Sequence, residues 1–137
     1  MNRSYKRFIG YSTAFRQWRA DSHCNKIHGY AFCFKVWFEG ELDENGWVID
    51  FGCFKRNGVK EWLKNMFDHT TCIAADDPEL ELFKEMDDRG IIDLRVLPNG
   101  VGCEKFAEYV ALYLQDIVDK ETNGRVSVSK VQCWEQE

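Results

Sequence analysis

The sequence predicts an α+β fold in which two main helices pack on one face of an antiparallel sheet. Two long segments alternate apolar and polar residues, which is typical of strands with one buried face, and two segments between them have helical apolar spacing. A chain of 137 residues with 45% hydrophobic and 30% charged residues suits one globular core of ordinary size. We therefore expect residues 1–137 to form a single domain.

The strands are predicted from the alternating segments 30–42 and 125–137. Residues 43–46, Asp-Glu-Asn-Gly, predict a turn into a second strand at the apolar stretch 47–51. A short strand is expected within 91–98, where Ile, Leu and Val dominate.

Three helices are predicted from apolar spacing and from the residues that start and stop helices. The first covers 50–67, begins at an N-cap Asp50 and is interrupted by Asn-Gly at 57–58. Segment 76–90 begins with Asp-Asp-Pro and ends in Gly, which indicates a short helix. Segment 100–124 has the clearest apolar stripe and closes with Asn-Gly.

Composition narrows the function classes. A net charge of −5 argues against nucleic acid as the main partner, because affinity for phosphate chains comes mostly from Lys and Arg. We find no apolar run long enough to cross a bilayer and no secretory signal pattern, so we expect a cytoplasmic protein without a membrane partner. Six cysteines without a C-x-x-C pair indicate neither a zinc ribbon nor a thioredoxin-type motif.

Chemistry-bearing residues gather in two places. His23, Cys24 and His28 lie within six positions, and this spacing suits a metal site, a nucleophile with its helper, or a packed turn. Asp68 and His69 follow the interrupted helix, where a carboxylate can orient an imidazole. Cys24, Asp68 and His69 are therefore a candidate acid–base set, and the alternative is an ordinary solvent-facing Asp-His pair.

Two glutamates are candidates for ligand binding. Glu135 shares a strand face with the apolar Val131 and Cys133, where a carboxylate needs a partner and suits an amidine-like N–H pair of a ligand. Fraying near the end of the chain is the alternative. Glu104 lies at a helix start, where complementing the helix dipole is an equally good explanation.

Several motifs together resemble the 6-pyruvoyltetrahydropterin synthase and 6-carboxytetrahydropterin synthase family. They occur in the family's order over nearly the whole chain: CNKIHGYAF, ENGWVIDFGCFK, FDHTTC, GCEKFA and VQCWEQ. The resemblance implies a T-fold, in which antiparallel strand pairs carry two helices on one face and subunits assemble into a barrel. It also implies a homohexamer of two trimers, with active sites shared between subunits.

The resemblance assigns roles to five residues. It implies that Cys24 works with Asp68 and His69 of a neighbouring subunit, and that Glu135 and Glu104 anchor the pterin ring. All five are present in this chain.

The zinc site that the resemblance implies is altered. Family members use a histidine at the end of the first strand, which we align with Arg19 or its neighbour Trp18, and both histidines of an H-G-H step. Here that step is His28-Gly-Tyr30. A neutral phenol is a poor zinc ligand and a guanidinium cannot be one. Two alternatives remain: zinc held by His23 and His28, or no zinc.

The resemblance implies a lyase of the 6-carboxytetrahydropterin synthase type. Its substrate would be 7,8-dihydroneopterin triphosphate and its pathway 7-deazaguanine (queuosine-type) biosynthesis. Without zinc, Arg19 is expected to supply positive charge near the substrate. The alternative is a T-fold protein that binds a pterin or purine and has lost or changed the synthase reaction.

Overall fold

The computed structural model describes residues 1–136, and its five strands form one sheet in the order β4-β3-β1-β2-β5. The strands are β1 (Asn2–Phe15), β2 (His28–Gly40), β3 (Thr70–Ala74), β4 (Leu94–Leu97) and β5 (Val126–Glu135); the helices are α1 (Gly52–Arg56), α2 (Val59–Phe67), α3 (Leu80–Asp88) and α4 (Cys103–Thr122). β2 pairs antiparallel with β1 and β5, whereas β3 pairs parallel with β1 and β4. The sheet is therefore mixed and not purely antiparallel.

The alternation predicted in β2 is confirmed, and it defines the face that carries the helices. Phe32 and Phe34 are fully buried on this face. The Phe32 ring lies 5.5 Å from Phe106 of α4, and the Phe34 ring lies 5.2 Å from Phe67 of α2. Burial of apolar area between sheet and helices is the main term that holds the two layers together.

Strand β1 was not predicted, because a bulge breaks its period of two. Its pairing with β2 shifts register between Phe8 and Tyr11, and Gly10 in the bulge has a φ of 87°. The buried positions consequently change from even to odd numbers along the strand. The apolar stretch 47–51 is not a strand; Val48 and Ile49 are buried in the connection that enters α1.

The interrupted helix is confirmed as α1 and α2. Gly58 lies between them with a φ of 64°, a conformation that glycine adopts without a steric penalty. Asp50 makes the capping hydrogen bond predicted for the start of α1, because its Oδ1 accepts from Gly52 N–H at 2.8 Å. The N-cap position itself is Phe51.

A partly buried ion pair anchors the segment that carries α3. The Arg16 guanidinium donates to both oxygens of Asp77, at 2.8 Å and 2.7 Å. This pairing holds the pKa of the Asp77 carboxyl below its ordinary value, and the N–H of Glu79 adds to the effect. The bond therefore fixes the end of β1 to the loop after β3. Within residues 1–136, the helices lack the combination of length and apolarity that crossing a bilayer needs.

Candidate functional site

The start of α4 and the end of β5 bring Glu104 and Glu135 to one place. Glu135 ends β5 opposite Phe32 of β2, and Glu104 lies in the first turn of α4. Hydrogen bonding with the neighbouring Cys133 lowers the pKa of the Cys103 thiol, while burial and the charges of Glu104 and Glu135 oppose that shift. α4 leads into β5 through residues 123–125 and packs against it, so the first turn of α4 and the last residues of β5 lie at the same end of these two elements.

The two carboxylates are available to a ligand. Both side chains belong to exposed residues. Lys105, the neighbour of Glu104, pairs instead with Glu108 at 3.4 Å, one turn further along the helix. A pair of accessible carboxylates at the edge of an apolar core can accept hydrogen bonds from the N–H groups of a flat heterocycle.

Sequence reasoning missed the two thiols beneath these carboxylates. Cys103 and Cys133 pack against the core as partly buried residues. The hydrogen bond with Cys103, together with burial, raises the pKa of the Cys133 thiol well above its ordinary value. The only sequence signal was position: Cys103 precedes Glu104, and Cys133 shares a strand face with Glu135.

Asp68 and His69 form a contact where α2 ends and β3 begins. His69 Nδ1 lies 3.3 Å from Asp68 Oδ2, and Asp68 Oδ1 accepts a hydrogen bond from Ser12 N–H at 3.1 Å. The Ser12 bond, and then the contact with His69, hold the pKa of Asp68 below its ordinary value. Asp68 is thus an ionised carboxylate that orients the imidazole.

The backbone of His69 is unusual. Its φ is 57°, in the left-handed region, and its N–H donates to the carbonyl of Ser12 on β1. Its side chain is 87% exposed. Strained backbone with a projecting titratable side chain is a pattern that clusters at functional sites, where the surrounding structure maintains the strain.

Cys24 lies in a 3-10 turn, His23–Asn25, between β1 and β2. Ser22 Oγ accepts from Cys24 N–H at 3.3 Å, and the Cys24 carbonyl accepts from Gln17 N–H at 2.8 Å. Within residues 1–136 of one chain, the hydrogen bonds do not join Cys24 to Asp68 or His69. The acid–base set is therefore only partly assembled in one chain, and its completion by a second chain stays a prediction.

The end of the first strand is Phe15, not Arg19 or Trp18. Phe15 is the Cα partner of His28, and their rings are 4.7 Å apart. The Tyr30 ring stands edge-on to the same imidazole at 5.6 Å. The end of the first strand and the two outer positions of the H-G-H step thus converge here, and they hold a phenyl, an imidazole and a phenol. Arg19 and Trp18 lie beyond β1, in the connection to β2.

These residues do not fit a zinc ion. His28 Nδ1–H donates to the Lys26 carbonyl at 2.7 Å, which leaves one ring nitrogen as the single good ligand of this position. His23 lies in the exposed 3-10 turn. Over residues 1–136, no group of three His, Cys, Asp or Glu side chains is arranged to hold a metal. A structural or catalytic zinc needs three or four such ligands.

Arg19 lines a cavity of about 290 Å³ at the other side of the β1 end. Its guanidinium lies 3.0 Å from Asp76 and 4.5 Å from the centre of the Trp18 ring. Lys105 and Asn99 line the same cavity. Both cations have exposed carboxylate partners in this chain: Asp76 pairs with Arg19, and Glu108 pairs with Lys105.

Comparisons with known proteins identify the class of the fold. An uncharacterised protein from Wolinella succinogenes superposes with a TM-score of 0.80 at 20% identity, covering 98% of this chain and 93% of that one. A catalytic-residue variant of Plasmodium vivax 6-pyruvoyltetrahydropterin synthase superposes with a TM-score of 0.63 at 15% identity, covering 100% and 99%. The mixed five-stranded sheet with helices on one face is a T-fold, and the predicted fold class is confirmed.

Sequence comparison gives the family. The profile described as 6-pyruvoyl tetrahydropterin synthase matches residues 5–137, and the chain belongs to that family. A Pyrococcus horikoshii protein, named provisionally as a 6-carboxy-5,6,7,8-tetrahydropterin synthase, is 28% identical over 133 residues, which cover 90% of this chain and 78% of that protein. A protein of the same name from Archaeoglobus fulgidus is 31% identical over 97 residues, or 64% and 83% of the two chains.

Proposed function

We propose that the chain is a pterin-processing lyase of the 6-carboxytetrahydropterin synthase type, with one T-fold domain over residues 1–137. The observation that carries the proposal is the pair of accessible carboxylates, Glu104 and Glu135, beside the apolar end of the sheet. An aminopterin ring presents neighbouring N–H groups, and carboxylates accept such pairs through charge-assisted hydrogen bonds. Relatives named as 6-carboxy-5,6,7,8-tetrahydropterin synthases support the reaction class.

The proposed acid–base groups are Cys24, Asp68 and His69. Asp68 holds the imidazole of His69 through Nδ1, so Nε2 is the atom of that ring left to exchange a proton with a substrate. Cys24 is partly exposed in its turn and supplies a thiol as the second proton carrier. Because these groups are separate in one chain, the proposal includes a homohexamer in which a neighbouring subunit supplies Asp68 and His69.

The proposed substrate is 7,8-dihydroneopterin triphosphate, and the proposed pathway is 7-deazaguanine (queuosine-type) biosynthesis in the cytoplasm. The cavity of about 290 Å³ lined by Arg19 and Lys105 supports an anionic substrate, because exposed ion pairs such as those with Asp76 and Glu108 are weak and a triphosphate can displace them. Lys105 of this cavity directly follows Glu104 in sequence, at the start of α4.

A second candidate is a T-fold protein that binds a pterin or purine and has lost or changed the synthase reaction. The presence of Phe15 and Tyr30 beside His28 favours this candidate, because these rings leave one imidazole where the resemblance implies three. Glu104 and Glu135 would serve both candidates equally.

Incubation of the purified chain with 7,8-dihydroneopterin triphosphate separates the two candidates. The lyase proposal expects a new pterin product by liquid chromatography and mass spectrometry, and it expects Cys24→Ala and His69→Ala to remove the product without weakening pterin binding. Lys26→Ala, an exposed change in the same loop as Cys24, is the matched control and should retain turnover. Binding of intact substrate without product would support the second candidate, and absence of any pterin binding would contradict both.

A further inference from the structure

The place where the family's zinc ligands would meet is closed by aromatic packing. Phe15 is only 6% exposed, and its ring contacts Phe106 edge-on at 5.5 Å and Phe32 at 5.8 Å. Such a ring cannot turn away without leaving a cavity in a close-packed core. The imidazole of His28 packs on the outer side of Phe15 at 4.7 Å.

Tyr30 extends this aromatic packing to the surface. Its ring stands edge-on to His28 at 5.6 Å and edge-on to Phe32 at 6.0 Å, and the residue is 41% exposed. The side chains of residues 28, 30 and 32 all lie on the helix-bearing face of the sheet, because every second residue of a strand shares a face. We name Phe15, His28 and Tyr30 the aromatic wall.

The aromatic wall lies beside the carboxylates of the proposed ring site. Phe32, which touches both Phe15 and Tyr30, is the Cα partner of Glu135 across β2 and β5. Glu104 precedes Phe106 by two residues in the first turn of α4. A flat ring whose edge is held by the carboxylates would therefore have an exposed aromatic residue, Tyr30, within reach of its face.

We infer that the aromatic wall replaces the metal of the family in this chain: Tyr30 stacks on the bound pterin or purine ring, and ligand binding is independent of zinc. Stacking on an aromatic face tolerates any flat heterocycle and needs no metal. The inference rests on the proposed ring site at Glu104 and Glu135, and it adds to that site a stacking residue and the loss of the metal.

Calorimetry with 7,8-dihydropterin as the probe tests the stacking. Tyr30→Ala should weaken binding by about tenfold, whereas Tyr30→Phe should keep the affinity, because the ring and not the hydroxyl makes the contact. Tyr5→Ala removes an exposed tyrosine from the opposite face of the sheet and should leave the affinity for 7,8-dihydropterin unchanged. Equal affinity of Tyr30→Ala and the unaltered chain would overturn the inference.

Metal analysis supplies a readout that does not depend on activity. The unaltered chain should contain well under one zinc per chain, and a zinc chelator should leave the affinity for 7,8-dihydropterin unchanged. The double variant Phe15→His with Tyr30→His should bind about one zinc per chain, while either single variant should bind much less. If the double variant does not fold, the chelator and Tyr30 measurements still decide the question.

The outcomes distinguish this inference from the proposed function. Stoichiometric zinc in the unaltered chain, with loss of pterin binding on chelation, would overturn the inference and leave the pterin-processing proposal standing. A folded double variant without zinc would show that the three positions do not converge and would overturn it as well. Absence of dihydropterin binding in every form would instead contradict the proposed function on which the inference rests.

Discussion

Because the backbone of His69 is left-handed, we predict that the His69→Gly variant is more stable than the His69→Ala variant. At a φ of 57°, a residue with a Cβ is about 1–2 kcal/mol less favourable than in right-handed conformation. Glycine escapes this penalty but costs about 0.5–1 kcal/mol through its larger unfolded-state entropy. The difference leaves His69→Gly more stable than His69→Ala by about 0.5–1 kcal/mol.

Thermal unfolding of the two variants measures this difference directly. Both variants lose the Asp68 contact, which therefore cancels, and His69→Gly should unfold about 2–4 °C above His69→Ala. Asn123 has a φ of 52° at the end of α4, so the Gly and Ala variants of Asn123 form a matched control away from the site and should differ in the same direction. Equal midpoints for His69→Gly and His69→Ala would refute the claim that this imidazole is presented from strained backbone.

Two further predictions concern stability and assembly. Asp77→Asn should lower the free energy of unfolding at pH 7 by about 3 kcal/mol, because it leaves the partly buried Arg16 without its buried, charged partner. The folded-state pKa of Asp77 is depressed, so the ion pair stabilises the fold fully above the unfolded-state pKa of about 4, and this stabilisation is lost as the pH falls through the folded-state pKa. In urea unfolding, the free energies of the variant and the unaltered chain should therefore converge in acid. A difference that stays constant with pH would contradict the assignment. Light scattering should give a mass six times that of the 16.1 kDa chain, because β4 and β5 are edge strands that closure of a barrel would protect. A stable monomer would exclude an active site shared between subunits.

The elements that sequence could predict are those whose apolar pattern has one unbroken period. β2 alternates without interruption on the buried face from Phe32 to Phe38, and α4 keeps its apolar stripe over twenty residues. Even the break between α1 and α2 was visible, because Gly58 marks the place where the backbone becomes left-handed. β1 could not be predicted from its apolar pattern, because its bulge exchanges the buried and exposed faces. β3 could not be predicted because it is short and contains the buried polar residues Thr70 and Thr71.

The parts of the candidate site that are formed by residues adjacent in the chain could be predicted from the sequence. Asp68 and His69 are neighbours in the chain, and their contact follows from that position. Phe15 could not be found in the same way, because its partnership with His28 depends on the register of two strands, one of which the pattern concealed. Convergence of Glu104 and Glu135 likewise depends on how α4 packs against β5.

Calorimetric titration of Glu135→Gln with 7,8-dihydropterin tests the central claim most directly. The change replaces a charged acceptor of two N–H bonds with a partly mismatched amide, and hydrogen bonds to charged groups contribute about 1.5–3 kcal/mol, so affinity should fall by about tenfold or more. Glu108→Gln, an exposed change one turn after Glu104 on α4, should retain the affinity of the unaltered chain. Equal binding by Glu135→Gln and the unaltered chain would contradict the assignment of this end of the sheet as a pterin site.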